Sequence, residues 1–355
     1  MAQKTATQEQ QYVEAWNSSI AGDSSDVPDS IRMLRESAIA RFSELGFPTK
    51  RRGNEEWKYT DVSSIAKASY ASLVPLPTDR VAAKTLDQHI IGGSVWNRLV
   101  FVDGHWLPDL SWLPFLPPEV MAMSIAKAMT SQPDLITDDL AQHASFQESG
   151  FTALNTAFLQ DGALLTIPEG VEVEEPIHLI FLSSGQEQGS VSHPRTLVTL
   201  GAHAKATVIE SYGGLVDGPY FTNAVSEFVL GPSAHLESFH LQQHGHQAYH
   251  VGSTQVKLAN DSSFVAGAFD FGGTLSRNTL SVALEGAGSS CNLYGLYMTN
   301  DGQHVDNQVF VDHAAPHTTS RQLYKGVLNG RSRGVFHGSI TVRQNAQKTD
   351  ALQMD

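Results

Sequence analysis

The sequence predicts a mainly β protein, a solenoid of stacked coils (a β-helix) that follows an N-terminal α-helical region. Apolar residues recur at helical spacing in the first part of the chain. From about Phe151, glycine becomes frequent and short runs alternate between apolar and polar residues, which is the pattern of β-strands. The predicted division places a helical region and linker in residues 1–150 and the solenoid core in residues 151–355.

Two N-terminal segments predict helices, Gln8–Ser18 and Ser30–Leu45, because each has apolar residues at helical spacing. Gly46 and Pro48 follow the second segment and are typical of a helix end. A further helical region, interrupted by loops, is predicted for residues 118–146.

Five short segments of the C-terminal half share an apolar-x-Leu strand followed by a small or polar residue. They are Val198–Gly201, Phe228–Gly231, Val256–Ala259, Val282–Glu285 and Gly326–Asn329. Their leucines are 30, 28, 26 and 44 residues apart, so the last interval would hold an inserted or undetected coil. One such unit cannot bury its apolar face alone, which favours a stacked solenoid. A jelly-roll or Greek-key sandwich is the structural alternative.

Composition and charge exclude several classes of function. The net charge of −14 argues against nucleic-acid and anionic-membrane partners, which normally require a basic face. The single cysteine permits no intramolecular disulfide, and the first residues contain no apolar run typical of a signal peptide. The sequence contains no stretch of about 20 uncharged apolar residues, which is the length needed to cross a membrane. We expect a soluble, cytoplasmic protein.

Five histidines lie close together: His235, His240, His244, His246 and His250. The last four differ by even numbers, so on one straight strand they would share a face and could form a row of ligands for iron or zinc. The favoured interpretation is a polar outer face of the solenoid or a loop between coils.

His313 and His317 are the candidate metal ligands of the C-terminal segment. Pro316 lacks a backbone N–H, which favours a sheet edge or a loop between coils. The alternative role for both histidines is to shape that loop by hydrogen bonding. Cys291 could bind iron or accept persulfide sulfur as a thiolate, but a lone cysteine on a strand favours a small buried hydrophobic residue.

Six basic residues and no acidic residue lie between positions 321 and 348: Arg321, Lys325, Arg331, Arg333, Arg343 and Lys348. They could face an acidic partner or an anionic intermediate, or be scattered over different faces. The phosphate-binding Gly-x-x-x-x-Gly-Lys-Ser/Thr loop, the Gly-x-Ser-x-Gly elbow and the His-Glu-x-x-His motif are all missing from the sequence. We therefore expect a non-catalytic scaffold without catalytic residues, and the sequence assigns no cofactor-binding residue.

Two stretches resemble the SufB/SufD family of iron–sulfur cluster assembly proteins. Glu55-Glu56-Trp57-Lys58-Tyr59-Thr60-Asp61 is similar to the family's Glu-x-Trp-Lys-Tyr-Thr-Asp signature, and a longer match runs from Asp312 to Ala351. The resemblance implies a right-handed parallel β-helix that pairs with SufB-like subunits and the SufC-like ATPase and supports iron acquisition and cluster formation. It also implies a possible homodimer, no tightly bound cofactor, and transient iron or cluster at the interface with SufB. The lone cysteine favours the SufD branch.

In the family, a segment with a histidine implicated in cluster assembly follows the matched region, and it would lie beyond Asp355. We therefore expect a chain that lacks the family's C-terminal segment. Two other functions are weighed. A SufB-like cluster-holding subunit predicts several cysteines, and a β-helix enzyme acting on polysaccharides predicts clustered carboxylates, which this sequence does not contain.

Overall fold

The computed structural model describes residues 8–19, 27–50, 54–68, 86–91, 96–137, 139–185 and 189–355. Its α-helices all lie in the first 157 residues: α1 (Gln8–Ser19), α2 (Asp29–Leu45), α3 (Ser63–Lys67), α4 (Ile125–Ser131), α5 (Asp134–Thr137) and α6 (Gly150–Ala157). The first two confirm the helices predicted from apolar spacing.

The strands of the described chain begin before the helices end and continue to its last residues. They are β1 (Asn97–Val102), β2 (His105–Trp106), β3 (Met121–Ser124), β4 (Gly162–Ile167), β5 (Ile177–Ser183), β6 (Ser190–Ser192), β7 (Arg195–Leu200), β8 (Lys205–Gly214), β9 (Tyr220–Leu230), β10 (His235–Gln243), β11 (Tyr249–Leu258), β12 (Ser263–Asp270), β13 (Leu275–Leu284), β14 (Ser290–Thr299), β15 (His304–His313), β16 (Thr319–Leu328), β17 (Arg333–Val342) and β18 (Asp350–Met354).

These strands form two parallel sheets that alternate along the chain. From β8 onward, even-numbered strands stack in one sheet, β8-β10-β12-β14-β16-β18, and odd-numbered strands stack in the other, β9-β11-β13-β15-β17. We name them the even sheet and the odd sheet. Each strand pairs in parallel with the strand two positions further along, so one coil contributes one strand to each sheet. This topology confirms the solenoid and excludes the antiparallel sandwich.

Strands also occur where the sequence predicted only helices and loops. β1 pairs in parallel with β5 of the even sheet, and β3 lies within the predicted helical region at residues 118–146. The two sheets therefore include residues before position 151. Both strands are short, and β1 is an almost continuous apolar run, which sequence periodicity cannot distinguish from a buried helical segment.

The repeated leucines form a column inside the solenoid. Leu200, Leu230, Leu258 and Leu284 are register partners in successive strands of the odd sheet. The next position in this column is His313, which pairs with Leu284, whereas Leu328 pairs with Thr299 in the even sheet. The prediction that Leu328 continues the repeat is therefore wrong, and the 44-residue interval exists because a histidine takes the leucine position.

The corners that follow the leucine column bring the backbones of neighbouring coils into close contact. A Cβ atom at Gly286 would stand 2.0 Å from the backbone nitrogen of Asn260 in the preceding coil, and at Gly231 it would stand 2.9 Å from the carbonyl oxygen of Leu200. Neither neighbour is a flexible side chain that could move away. Glycine is required at these corners so that one coil can stack on another.

We predict that Gly286→Ala destabilises the protein by about 1–3 kcal/mol or more, because the added methyl group overlaps the backbone of the preceding coil. Urea unfolding measures the change. Gly218→Ala is the matched control, since its nearest neighbour would be 3.3 Å away, and it should change the unfolding free energy far less. Equal midpoints for the two variants would show that the corner is not tightly stacked.

Candidate functional site

One corner of the solenoid has a polar interior that contains buried carboxylates and imidazoles. This polar corner lies where strands of the even sheet end and strands of the odd sheet begin. Its inward-facing residues include Glu210, His240 and Asp270 from the even sheet and His250 and Asn278 from the odd sheet. Buried polar groups cost free energy unless they are hydrogen-bonded, so the corner depends on its internal network.

The carboxylates of the polar corner are hydrogen-bond acceptors. Oε1 of Glu210 accepts from Thr196 at 2.8 Å, Ser226 at 2.8 Å and the hydroxyl of Tyr212 at 3.2 Å. Burial, and then the nearby Glu210 carboxylate, raise the pKa of Tyr212, so its hydroxyl stays protonated and continues to donate.

Asp270 is the second buried carboxylate of this corner. Its Oδ1 accepts from Ser276 at 2.9 Å and from the side-chain amide of Asn278 at 2.7 Å. Both donors come from β13 of the odd sheet, so the carboxylate ties the two sheets together across the interior of the solenoid.

Three of the five clustered histidines lie inside the polar corner. The rings of His240 and His250 are each 5.0 Å from the ring of Tyr212, and Nε2 of His244 is 3.1 Å from Nδ1 of His250. His244 and His250 are buried. The inward position of His240 and His250 contradicts the outer-face part of the favoured interpretation, whereas His244 lies in the turn between β10 and β11, in keeping with its loop alternative. The even spacing predicted that His240 and His250 share one side of a strand. It could not show whether that side faces the interior or the solvent.

The other two histidines of this stretch lie outside the corner. His235 hydrogen-bonds Ser263 at 2.6 Å, and His246 is exposed in the turn between β10 and β11. The predicted row is therefore divided by that turn. Among the described residues, no group of three or more His, Cys, Asp or Glu side chains is placed to hold a metal ion.

His313 and His317 have different environments. Nδ1 of His313 lies 2.7 Å from the hydroxyl of Thr318, and its Nε2 lies 2.9 Å from the hydroxyl of Ser320. Binding a metal would require one of these hydrogen bonds to break. His317 is exposed in the following turn, and its backbone N–H donates to the carbonyl of Gln347 at 2.9 Å. Their use as metal ligands remains a prediction.

Cys291 and the C-terminal basic residues do not converge on one site. Cys291 is buried, and burial raises the pKa of its thiol to about 12, so it is not a ready thiolate. Arg321 pairs with Asp350 at 2.5 Å, and Arg343 pairs with Asp312. These basic residues bind acidic residues of neighbouring coils.

Two buried ion pairs connect the N-terminal part of the chain to the odd sheet, and sequence reasoning identified neither. In the first, Arg195 donates to Glu227 at 2.5 Å, and both side chains are fully buried. The other carboxylate oxygen of Glu227 accepts from the backbone N–H groups of His143 and Ala144 at 2.9 and 2.8 Å. Arg195 also donates to Asn155 of α6 at 3.1 Å.

In the second pair, Arg277 of β13 binds Asp306 of β15. The Arg277 guanidinium stacks over the Trp57 ring at 3.8 Å, and the hydroxyl of Thr60 donates to the same carboxylate. Trp57 also packs on Phe151 at 5.4 Å between ring centres. Trp57 and Thr60 therefore dock the Trp57–Asp61 segment onto the outer face of the odd sheet.

Comparison with known proteins covers nearly the whole chain. Residues 6–179 match the family model described as "SufBD protein N-terminal region", and residues 181–355 match "SUF system FeS cluster assembly, SufBD core domain". An iron–sulfur cluster assembly SufBD family protein of Synechocystis is 28% identical over 93% of this chain and 74% of its own length. The iron–sulfur cluster assembly protein SufD of Escherichia coli is 29% identical over 88% of this chain and 70% of its own.

We predict that Arg277→Met destabilises the protein by about 3–5 kcal/mol, because it leaves the buried Asp306 carboxylate without its cation. Arg343→Met removes an arginine from an exposed pair and should cost at most about 1 kcal/mol. Urea unfolding of the two variants provides the comparison. Similar losses in both would contradict the structural role assigned to the buried pair.

We also predict an acid-sensitive contribution from His244. Burial, and then His240, lower the pKa of His244 to about 3 in the folded state, against an ordinary value of 6.5. The unfolded chain therefore binds a proton that the folded chain excludes. This contribution is complete above about pH 6.5 and is lost as the pH falls toward 3, by about 1.4 kcal/mol per pH unit.

Urea unfolding at several values between pH 7 and pH 4 tests this dependence. His244→Gln should make the fall in stability less steep by close to one proton. His246→Gln, at an exposed position of the same turn, should leave the slope unchanged. An unchanged slope in His244→Gln would contradict a buried neutral imidazole.

Proposed function

This chain belongs to the SufBD family of iron–sulfur cluster assembly proteins, and we propose that within it the protein is a SufD-type scaffold subunit. It pairs with a SufB-like subunit and the SufC-like ATPase, and it supports iron acquisition and cluster formation in the cytoplasm. The observation that carries the proposal is the match to both SufBD family models, one after the other, along nearly the entire chain. No helix of the described residues has the length and apolar character needed to cross a membrane.

The environment of Cys291 supports a scaffold rather than a cluster-holding subunit. Thiolates are the usual ligands of iron–sulfur clusters, and the only cysteine of the sequence is buried with a raised pKa. Iron or a nascent cluster is therefore proposed as transient cargo at the interface with the SufB-like partner. His244 and His250 are within hydrogen-bonding distance of each other in the polar corner, and His313 is within that distance of Thr318 and Ser320. These contacts suit a structural role for the three histidines in a scaffold subunit.

The outer face of the even sheet supports pairing with another subunit. Tyr294, Met298, Val327 and Met354 are each 45–51% exposed. They lie on the outward side of β14, β16 and β18, which are neighbours in this sheet. Large exposed apolar patches are typical of interaction sites.

Co-purification from one cell with tagged SufB and SufC tests the proposed assembly. We expect both partners to retain the protein. Val327→Asp should reduce retention at least tenfold, because it places a charge in the apolar patch. Val216→Asp is the matched control, since Val216 is 50% exposed, Val327 is 51% exposed, and Val216 lies in the loop after β8.

The control variant should be retained like the unchanged protein, and both variants should keep its melting temperature. Equal retention of the two variants would exclude the even-sheet patch as the interface. Failure of the partners to retain the unchanged protein would contradict the SufD assignment itself.

A further inference from the structure

Two aromatic side chains are exposed at the end of the solenoid that contains β1 and β3. Trp112 is 41% exposed and Phe115 is 51% exposed, and their rings are 6.0 Å apart in an edge-to-face arrangement. Both belong to residues 107–120, which connect β2 to β3 and which we name the cap segment. Leu113 and Leu116 of the same segment pack against the apolar core of the solenoid. The cap segment therefore covers the core with its leucines and leaves its aromatic rings at the surface.

Hydrogen bonds to β1 hold the cap segment in place. The backbone N–H and carbonyl groups of Arg98 and Trp112 form a reciprocal pair of hydrogen bonds at 2.7 and 2.8 Å. The N–H of Phe115 donates to Oδ1 of Asn97 at 3.1 Å, and the Arg98 guanidinium lies 5.6 Å from the centre of the Trp112 ring. Because the two rings are positioned before a partner arrives, binding to them would cost little conformational entropy.

The chain around these rings is acidic. Glu172 forms an exposed ion pair with Lys205 at 3.2 Å, and the other acidic residues here form no ion pair among the residues that the structure describes. Unpaired carboxylates on one surface attract cationic groups. The cap segment and residues 168–176, which connect β4 to β5, contain six acidic residues and no basic residue: Asp109, Glu119, Glu169, Glu172, Glu174 and Glu175.

Residues 168–176 approach the aromatic rings through the pairing of β5 with β1. Ile177, the first residue of β5, pairs with Asn97, and the side chain of Asn97 accepts the N–H of Phe115. Glu175 lies two residues before Ile177. The chain around Glu175 therefore reaches the same end of the solenoid as Phe115.

Glu119 and Glu169 lie together at the neighbouring edge of this surface. In the antiparallel β3–β4 ladder, Met121 pairs with Thr166. Glu119 precedes Met121 and Glu169 follows Thr166, so both carboxylates lie beyond the same end of the ladder. Carboxylates from both sheets of the solenoid therefore flank the exposed rings.

We propose that the cap segment is a docking surface for a basic protein segment, one in which Lys or Arg side chains flank an apolar anchor. The anchor packs against the Trp112 and Phe115 rings, and the basic side chains pair with the surrounding carboxylates. Aromatic residues dominate the energetics of many protein interfaces, and complementary charges select the partner. Nucleic acid and anionic membranes do not fit, because the same carboxylates would repel them.

This surface is separate from the apolar patch assigned to pairing with a SufB-like subunit. The cap segment pairs with β1, whereas the patch lies on β14, β16 and β18 at the opposite end of the even sheet. The inference therefore goes beyond the proposed function and concerns a further partner.

Fluorescence anisotropy of two labelled amphipathic peptides, titrated with the whole chain, tests the proposal. One peptide contains only Leu and Lys, and the other has Glu in place of every Lys. We expect the Lys peptide to bind and the Glu peptide to remain free. Trp112→Ala and Phe115→Ala should each raise the dissociation constant of the Lys peptide by about tenfold or more, because each removes an aromatic contact.

Two control variants on α2 separate this surface from general attraction to an acidic protein. Met33→Ala removes a side chain that is 59% exposed and should leave binding unchanged. Like the two aromatic variants, it does not alter the net charge. Glu174→Gln should weaken binding, whereas Glu36→Gln, which removes the same charge from an exposed position of α2, should weaken it less.

Both aromatic variants should keep the melting temperature of the unchanged protein. If Trp112→Ala lowers it through the lost Arg98 contact, Phe115→Ala decides the test, because it keeps that contact. Failure of the Lys peptide to bind would overturn the proposal, as would equal binding of both peptides or equal affinity for the aromatic variants and the unchanged protein. Self-association that Phe115→Ala abolishes would overturn it in favour of a second copy of this chain.

Discussion

Each coil of the solenoid has to offer the next coil a complete row of backbone hydrogen-bonding groups in matching register. From β8 to β18, every strand meets this requirement by pairing in parallel with the strand two positions away. The constraint places equivalent residues of successive coils above one another, as in the leucine column. It also explains the corner glycines, because two backbones approach there more closely than a side chain permits.

The stacked coils leave two outer faces, and the chain uses them differently. The odd sheet is covered by the N-terminal segments, whose aromatic residues Phe42 and Phe151 share a core with Phe221 and Val251 of its strands. The buried Arg195–Glu227 and Arg277–Asp306 pairs hold this cover in one position, since a buried charge is stable only beside its partner. On the even sheet, by contrast, Tyr294 and Val327 are exposed among the residues that the structure describes.

The interior is where this solenoid departs from a simple hydrophobic core. Its leucine side is apolar as far as Leu284, whereas the opposite corner contains carboxylates, imidazoles and amides joined by hydrogen bonds. Such a network favours one arrangement of side chains, because each buried polar group keeps its hydrogen bonds only while its neighbours stay in place. Among the described residues, none of its side chains belongs to a group of three or more His, Cys, Asp or Glu placed to hold a metal ion.

The sequence by itself determined the fold class, since helical spacing before Gly46 and alternating apolar residues after Phe151 are local signals. It also predicted that Cys291 would be buried. Only the tertiary structure decided which way each strand faces, and it turned His240 and His250 inward although their spacing suits either side. It likewise separated Leu328 from the leucine column and joined Arg195 to Glu227, 32 residues away. These outcomes depend on register between coils, and local periodicity carries no information about register.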